Sequence, residues 1–580
     1  MNGVLNHGVR VARIRQIEIK NFRGIAELLW DPAPGINCLI GPGDSGKSTI
    51  LDAIDLCLGA RRNAQFTDAD FHNLDVNNPI SISVTIGELS DALKTMDAYG
   101  LYLCGYIDIL GMLEDEPSTT NETALTLNLT VASDLEPSWT LVSKRAAAQG
   151  LSRNLAWADR VRIAPTRLGA VADYNLSWRR GSVLNLLSDE RADASAALVQ
   201  AAREARAAFG EQAGEQLEAT LSIVEETATE LGIAYGASLK AMLDSHSVSF
   251  SGGTISLHDE AGVPLRSLGV GSTRLLIAGL QRKAAAESTI ILVDELEHGL
   301  EPHRVTRLLG SIGAKDTTPP LQAFVTTHCP AAICELKASQ LHVVRSADGR
   351  HRVQVVPTAD DIQGTIRLYP EALLAPTVVV CEGASEVGLL RGLDQYRWTL
   401  PMPSLSAMGV ALVDGNGTDQ IFKRGGVFQG LGYRVAALRD DDVKPTPELE
   451  QTFIEKGGKV TVWRDGRTLE DELFLSLSDN AIAQLLGVAI DLHGEDLIDA
   501  NIRSASGGAW TLVASAAVLG PDIRAVYGKA SRTKKAGWFK SVTWMERVAR
   551  DIVGPDLKTC DQAFSSTIYE LFEWMENGGN

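Results

Sequence analysis

The chain runs to 580 residues, enough for several domains that each bury a core of their own. Its composition, 45% apolar and 22% charged, is that of a soluble protein, and no stretch approaches 18 uninterrupted apolar residues, so a membrane span is not expected. A net charge of −19 argues against a surface generally coated by nucleic acid, so any such contact must come from a local basic patch.

The seven cysteines form no CxxC and no Cys/His zinc spacing, and several sit inside apolar runs, where reduced core thiols are expected. The N-terminus lacks the apolar segment of a signal peptide, which points to a cytoplasmic protein without a membrane partner.

Arg13 to Ile19 alternates as a strand, Asn21-Phe22-Arg23-Gly24 turns, and Ile25 to Trp30 reads as a second strand. Ile36 to Ile40 is a short buried strand running into Gly41-Pro42-Gly43-Asp44-Ser45-Gly46-Lys47-Ser48-Thr49, and an amphipathic helix follows. This stretch meets every fixed position of G-x-x-x-x-G-K-[ST] in its required strand–loop–helix context. Backbone amides of Gly41, Gly43, Asp44, Ser45, Gly46 and Thr49 would cradle phosphates at a helix N-terminus, Lys47 would reach the β/γ-phosphates, and Ser48 would ligate Mg²⁺. Ile80–Glu88 and Ala124–Ala132 alternate as strands, and the acidic, turn-rich 108–121 reads as a surface loop.

From 183 to about 232 Ala, Glu, Arg and Leu dominate, which predicts long helices serving as an arm or dimer contact. Strands resume near 247–250 and 254–257. Ser267-Leu268-Gly269-Val270-Gly271-Ser272 then precedes a helix expected over Arg274–Ala286, and Gly271 and Ser272 there make a candidate anion site. The strand Thr289–Val293 runs straight into Asp294-Glu295, a Walker B arrangement: Asp294 in the Mg²⁺ shell, Glu295 polarising the attacking water. Gly299-Leu300-Glu301-Pro302-His303 lies where a D-loop is expected, and His328 ends the next strand as a candidate switch histidine near the γ-phosphate.

Residues 13–60 and 265–330, with the Ile17–Gly24 opening Ile-x-Ile-Lys-Asn-Phe-Arg-Gly, resemble the ATPase heads of the SMC/RecF group of ABC proteins. The resemblance implies ATP with one Mg²⁺, and head-to-head dimers in which the signature loop of one subunit closes over ATP held by another. It also makes Glu88 a candidate Q-loop equivalent.

After Pro357 a linker leads to Ala375-Pro376 and a new strand, Thr377–Cys381, which ends in Glu382-Gly383-Ala384-Ser385-Glu386. Open α/β sheets place their sites at such carboxyl ends, and Glu386 shares a face with Glu382 if a helix begins here. Tyr433–Leu438 ends in Asp440-Asp441-Asp442, with Asp440 and Asp442 pointing one way in extended chain. Val460–Trp463 leads to Thr468-Leu469-Glu470-Asp471-Glu472. So many carboxylates together repel one another unless a cation relieves them, and hard oxygen ligands suit Mg²⁺ or Mn²⁺. Two such ions could activate water and stabilise the leaving oxygen of a phosphodiester. Near the end, Lys529, Arg532, Lys534, Lys535, Lys540 and Arg547 make a basic patch around Trp538 and Phe539, which either stack on a base or anchor the segment.

The E-G-x-x-E and D-x-D spacing resembles the Toprim domain. An N-terminal ABC ATPase joined to a C-terminal Toprim domain resembles the OLD (overcoming lysogenisation defect) family nucleases, which include the nuclease subunit of Gabija phage defence. The fold class implied is α/β, an ABC-type ATPase domain (1–180 and 246–365) interrupted by a helical insertion (181–245) and followed by a Toprim domain (371–580). Carried over, Glu382 and Asp440 are central metal ligands, Glu386 and Asp442 complete one site, and Thr468 with Glu470 lean toward a second ion, with Asp471 and Glu472 competing for that role. A late lysine stabilises the transition state, Lys535 first and Lys540 second. The partners implied are DNA, a second copy joined through the heads and the insertion (or a higher oligomer), and for some family members a UvrD-like helicase. The function implied is ATP-regulated, metal-dependent DNA cleavage in phage defence or DNA processing. The alternative is a non-nucleolytic RecF/SMC-like ATP-dependent DNA-binding clamp acting in repair.

Overall fold

The computed structural model describes residues 12–169, 173–176, 182–187, 200–201, 203–204, 208, 217–227, 257–284, 289–347, 349–464, 466–533 and 537–577. Most of the expected helical insertion, the strands expected near 247–250 and 254–257 apart from Leu257, and Lys534 and Lys535 lie outside the described residues. Within the insertion the described pieces, Val183–Leu187 and residues 217–227, are helical. The chain forms two compact units. The first comprises Met1–Leu39, Gly46–Ala332 and Ser346–Arg352, and the second Ile40–Ser45, Ile333–Arg345 and Val353–Asn580.

The first unit is built on a mixed sheet. Its parallel run places Thr166–Leu168 beside Ile290–Val293, then Gln322–Thr326, then Ile36–Ile40. Ile36–Ile40, Ile290–Val293 and Gln322–Thr326 are buried at every residue because both faces are covered. Its antiparallel run places Ile25–Trp30 beside Arg13–Phe22, then Ile80–Gly87, Glu122–Val131 and Leu103–Ile107. Gln322 joins the two runs: its side-chain oxygen accepts from Ile14 N (2.7 Å) and its side-chain nitrogen donates to Ile14 O (2.9 Å). The segment expected to be a loop over 108–121 instead contributes the strand Met112–Glu114, which pairs with Leu103–Ile107 as a hairpin edge. All three of its side chains are exposed, so it carries no alternation to read.

The second unit holds a four-stranded parallel sheet, in spatial order Val410–Asp414, Thr377–Cys381, Arg434–Arg439, Lys459–Val462. Val410–Asp414 was not among the expected strands. Only two of its five residues are fully buried, as befits a sheet edge, and Gly415-Asn416-Gly417 closes it. The helices Ala384–Arg397, Thr418–Gly430 and Pro447–Glu455 form the connections, and helices from Leu469 onward complete the core. Trp538 and Phe539 are fully buried, and Trp538 lies edge-on to Phe474 with ring centroids 5.8 Å apart. They anchor the basic segment, and the base-stacking alternative is set aside because neither ring reaches solvent.

Helix Ala384–Arg397, which follows Glu382, approaches helix Val542–Val548 through glycines. A Cβ on Gly388 would lie 2.6 Å from Val542 O, and one on Gly392 would lie 2.2 Å from Glu546 O. Gly392→Ala is therefore expected to destabilise the protein by about 1–3 kcal/mol through overpacking. Gly426→Ala, on a helix face with nothing within 4 Å, is expected to stabilise it by about 0.4–1 kcal/mol. Urea unfolding of both variants checks the pair, and a neutral Gly392→Ala would contradict the close approach.

Candidate functional site

The loop after Ile36–Ile40 is shaped by left-handed backbone. Gly41 has φ 141°, Asp44 56° and Gly46 84°. A Cβ at Gly41 would come within 2.6 Å of Val344 O, and one at Gly46 within 2.8 Å of His351 Nε2, so both positions demand glycine. The helix Lys47–Leu58 begins directly after Gly46. Ser48 Oγ donates to Asp294 Oδ1 (2.9 Å), and Thr326 Oγ1 donates to the same oxygen (2.7 Å). A hydroxyl and a carboxylate brought face to face beside a phosphate loop are the oxygen donors a nucleotide-bound Mg²⁺ uses, so the residues fit that ion.

Glu295 follows with φ 45° and an exposed carboxylate, and its amide donates to Thr326 Oγ1 (2.8 Å). His328 is exposed, and its amide donates to Glu297 Oε1 (2.8 Å). Helix Val270–Lys283 starts four residues earlier than expected, with Gly269 as its N-cap, so Gly271 and Ser272 belong to its first turn rather than to a loop before it. A Cβ on Gly271 would sit 2.2 Å from Gly299 O, and Ser272 Oγ accepts from Arg304 Nη1 (3.2 Å). Glu88 pairs with Arg15 (2.9 Å) and Arg13 (3.4 Å).

Sequence reasoning missed Arg274. It is 1% exposed, and its guanidinium donates to the carbonyls of Asp294, Glu295 and His298, each at 2.9 Å. It thereby ties the helix Val270–Lys283 to the backbone that carries Asp294 and Glu295. Nothing in the sequence separates such an arginine from a solvated one.

In the second unit the strand ends gather acids. Glu382 Oε1 accepts from Thr418 Oγ1 (2.7 Å) and its Oε2 from Asp440 N (2.9 Å). Asp440 Oδ1 accepts from Leu469 N (2.9 Å), and Glu386 Oε2 from Gly383 N (3.0 Å). Glu386 and Glu470 are 4% and 3% exposed, so water screens them little. Burial, reinforced by Glu470 and Glu382, pushes the Asp440 carboxyl up to about 8. Burial with the charges of Asp440 and Glu470 raises Glu386 well above the carboxylate range. Glu382 is raised by burial, against the hydrogen bonds from Thr418 and Asp440. Burial also raises Glu470, with Lys540 pulling the other way.

The neighbours have other engagements. Asp441 turns away to Arg439 (3.1 Å), Lys444 (2.5 Å) and Gly466 N (2.8 Å). Thr468 caps helix Leu469–Ser476, sharing its hydroxyl with Asp471. Asp471 pairs with Arg532 (3.1 Å), and Glu472 with Arg464 (2.6 Å) and Arg467 (3.3 Å). Of the three competing acids, Glu470 is the one whose charge acts on Asp440 and Glu386. Asp442 stands 4.0 Å from Arg532 and adds its charge to Glu382 and Asp440. Among the described residues no group of three or more His, Cys, Asp or Glu side chains is placed so that it could hold a metal ion as it stands. The donor set is nonetheless all hard oxygen, and the repulsion that lifts Asp440 and Glu386 is relieved either by protons or by a divalent cation.

Phosphate loop, Walker B carboxylate and parallel sheet together define a nucleotide-binding P-loop ATPase domain. A family profile described as "AAA domain, putative AbiEii toxin, Type IV TA system" matches residues 36–333, more than half of the chain, and the chain belongs to that family. It is 38% identical over 66 residues to the DNA replication and repair protein RecF of Prosthecochloris aestuarii, covering 11% of this chain and 18% of that protein. It is 38% identical over 55 residues to RecF of Moorella thermoacetica, covering 10% of this chain and 15% of that protein. The chain thus matches less than a fifth of the length of these relatives. A solved SMC head bound to the C-winged helix domain of ScpA covers 60% of this chain and 99% of its own, at 16% identity and TM-score 0.35. RecF with ATP covers 59% and 99%, at 10% identity and TM-score 0.32. No described helix is long and apolar enough to cross a membrane.

The acid cluster has a pH signature. A carboxyl whose folded pKa is raised makes the folded state bind its proton more tightly, so its stabilising contribution is complete below the unfolded value and is lost as pH rises through the folded one. For Asp440 that window runs from about pH 4 to about pH 8. In EDTA the thermal midpoint should fall across this window, Asp440→Asn should flatten the fall, and Mn²⁺ at the upper end should restore the wild-type midpoint. A wild-type midpoint independent of pH in EDTA would contradict the clustering.

Proposed function

We propose that the chain is an ATP-regulated, divalent-metal-dependent DNA endonuclease of the OLD family, with its phosphodiester chemistry in a Toprim-type second unit. One observation carries the reading: Glu386 and Glu470, buried, converge with the half-buried Glu382 and Asp440 at the carboxyl ends of parallel strands and repel one another. Acids so placed gain nothing for the fold by themselves, and they suit the work of holding cations.

In this reading Glu382, Glu386, Asp440 and Asp442 hold one ion, and Glu470, with Thr468 at the start of its helix, leans toward a second. Bound ions of this kind supply a water activated at neutral pH and charge stabilisation at the phosphodiester. The backbone amides of Asp440 and Leu469 and the hydroxyl of Thr418 fix the carboxylates in place. Lys540, whose charge already acts on Glu470, and Lys535 are the cations available to the charge that develops on phosphate.

The first unit works as the switch. Lys47, Ser48, Asp294, Glu295 and His328 serve ATP and its Mg²⁺, and Gly271 and Ser272 of a second copy close the site. DNA is the substrate, a UvrD-like helicase is a further partner, and the cytoplasm is the setting. The RecF similarity favours a second reading, a DNA-binding clamp without cleavage, in which the acids bind structural metal only.

Supercoiled plasmid separates the two. The wild type should nick or linearise it with Mg²⁺ or Mn²⁺, and Glu382→Gln and Asp440→Asn should each lose cleavage by about a hundredfold or more. Lys47→Ala should abolish ATP hydrolysis while leaving metal-dependent cleavage largely intact. Cleavage surviving both acid substitutions would sink the nuclease assignment to this site, and no cleavage by the wild type would favour the clamp.

A further inference from the structure

Arg167 lies on the short strand Thr166–Leu168, paired in parallel with Ile290–Val293, which ends at Asp294. Three carboxylates hold its guanidinium: Asp52 at 2.6 Å and Asp55 at 3.5 Å, both on the helix Lys47–Leu58, and Asp294 at 3.3 Å. Arg167 and its three partners are 13–29% exposed in their side chains, so solvent screens the set only in part. Asp52 is shared with Arg23, and Asp55 with Arg61. The Walker roles of this unit make no use of Arg167.

The Asp294 carboxylate is divided between two tasks. Oδ1 accepts from Ser48 and Thr326, on the side where the donors suit the nucleotide's cation, while Oδ2 accepts from Arg167 Nη2. The two hydroxyls already orient Asp294, so what Arg167 adds is chiefly a positive charge. That charge shares one carboxylate with any cation held on the Oδ1 side.

We propose that Arg167 is a positioning residue that acts through Asp294 to set how tightly the nucleotide's divalent cation is held, making the site less retentive than its acids alone would be. The proposal rests on the ATPase reading of this unit. Like charges a few ångströms apart in a half-screened site repel, and removing one is expected to strengthen cation binding by about tenfold. Asp52 and Asp55 keep the guanidinium neutralised if it yields Asp294, so yielding does not strand a buried charge.

The test uses the full chain and a fluorescent non-hydrolysable ATP analogue, bound first in EDTA and then along a Mg²⁺ titration. Arg167→Gln removes the charge and keeps a polar side chain. Its affinity for the analogue in EDTA should stay within about twofold of wild type, and its half-saturating Mg²⁺ should fall about tenfold. Arg167→Lys keeps the charge and should return that value to near wild type. Arg167→Met removes the charge without leaving a polar group, should show the same fall in half-saturating Mg²⁺, and is the second variant if Arg167→Gln does not fold. A half-saturation unchanged or raised in Arg167→Gln overturns the proposal, as does an equal loss of binding with and without Mg²⁺, which marks a mere strut. A wild type that binds no analogue under either condition would remove the ATPase reading itself.

Discussion

Like charge buried at the ends of parallel strands is the constraint on which the second unit depends. A parallel sheet delivers successive strands to one edge, and here the residues delivered to that edge are acids. Glu382 directly follows Thr377–Cys381, and Asp440 directly follows Arg434–Arg439. The fold then spends its local hydrogen bonds holding them. Asp440 N serves Glu382, Leu469 N serves Asp440, and Gly383 N serves Glu386. Such bonds favour the ionised form, but burial and mutual repulsion outweigh them, and Asp440 and Glu386 end well above the usual carboxylate range. Arginines pair with the neighbours Asp441, Asp471 and Glu472, whereas the central acids face one another, with Lys540 acting on Glu470.

The first unit solves the opposite problem, gathering donors for a triphosphate that brings its own charge. Its loop is shaped by glycines that no Cβ can replace at Gly41 and Gly46. Its hub is Asp294, which receives Ser48 and Thr326 on one oxygen and Arg167 on the other. Arg274 reaches the carbonyls around that same strand end from the helix Val270–Lys283, so helix and hub are tied by buried hydrogen bonds. Each unit thus has its own electrostatic arrangement.

Much of this was legible in the residues because it is local. A β run followed by glycines and Lys-Ser can be read as it stands, as can Asp294-Glu295 after four apolar residues. The acids after Cys381 and Arg439 show for the same reason. What stayed hidden depends on partners distant in the chain. Glu470, Asp471 and Glu472 are consecutive on one helix, and only the positions of Arg532, Arg464 and Arg467 single out Glu470. Val410–Asp414 escaped because its apolar run, Val410 to Val413, is only four residues long, and so short a run does not by periodicity separate a strand from a piece of buried helix. Arg167 and Arg274 escaped because an arginine is read as a surface residue unless its carboxylates or carbonyls are known. The start of the helix at Val270 was misplaced because Gly271 looks like a loop residue, whereas its small size serves a close approach to Gly299.

Whether the strand-end acids of the second unit hold divalent cations is answered by counting ions. Mn²⁺ titrated into the nucleotide-free protein and followed by electron paramagnetic resonance reads occupancy without any need for turnover. Two bound ions per chain are expected in the wild type, with binding lost in Glu382→Gln and retained in Lys47→Ala. Wild-type protein that binds no Mn²⁺, or that binds it equally well after Glu382→Gln, would contradict cation binding by these acids.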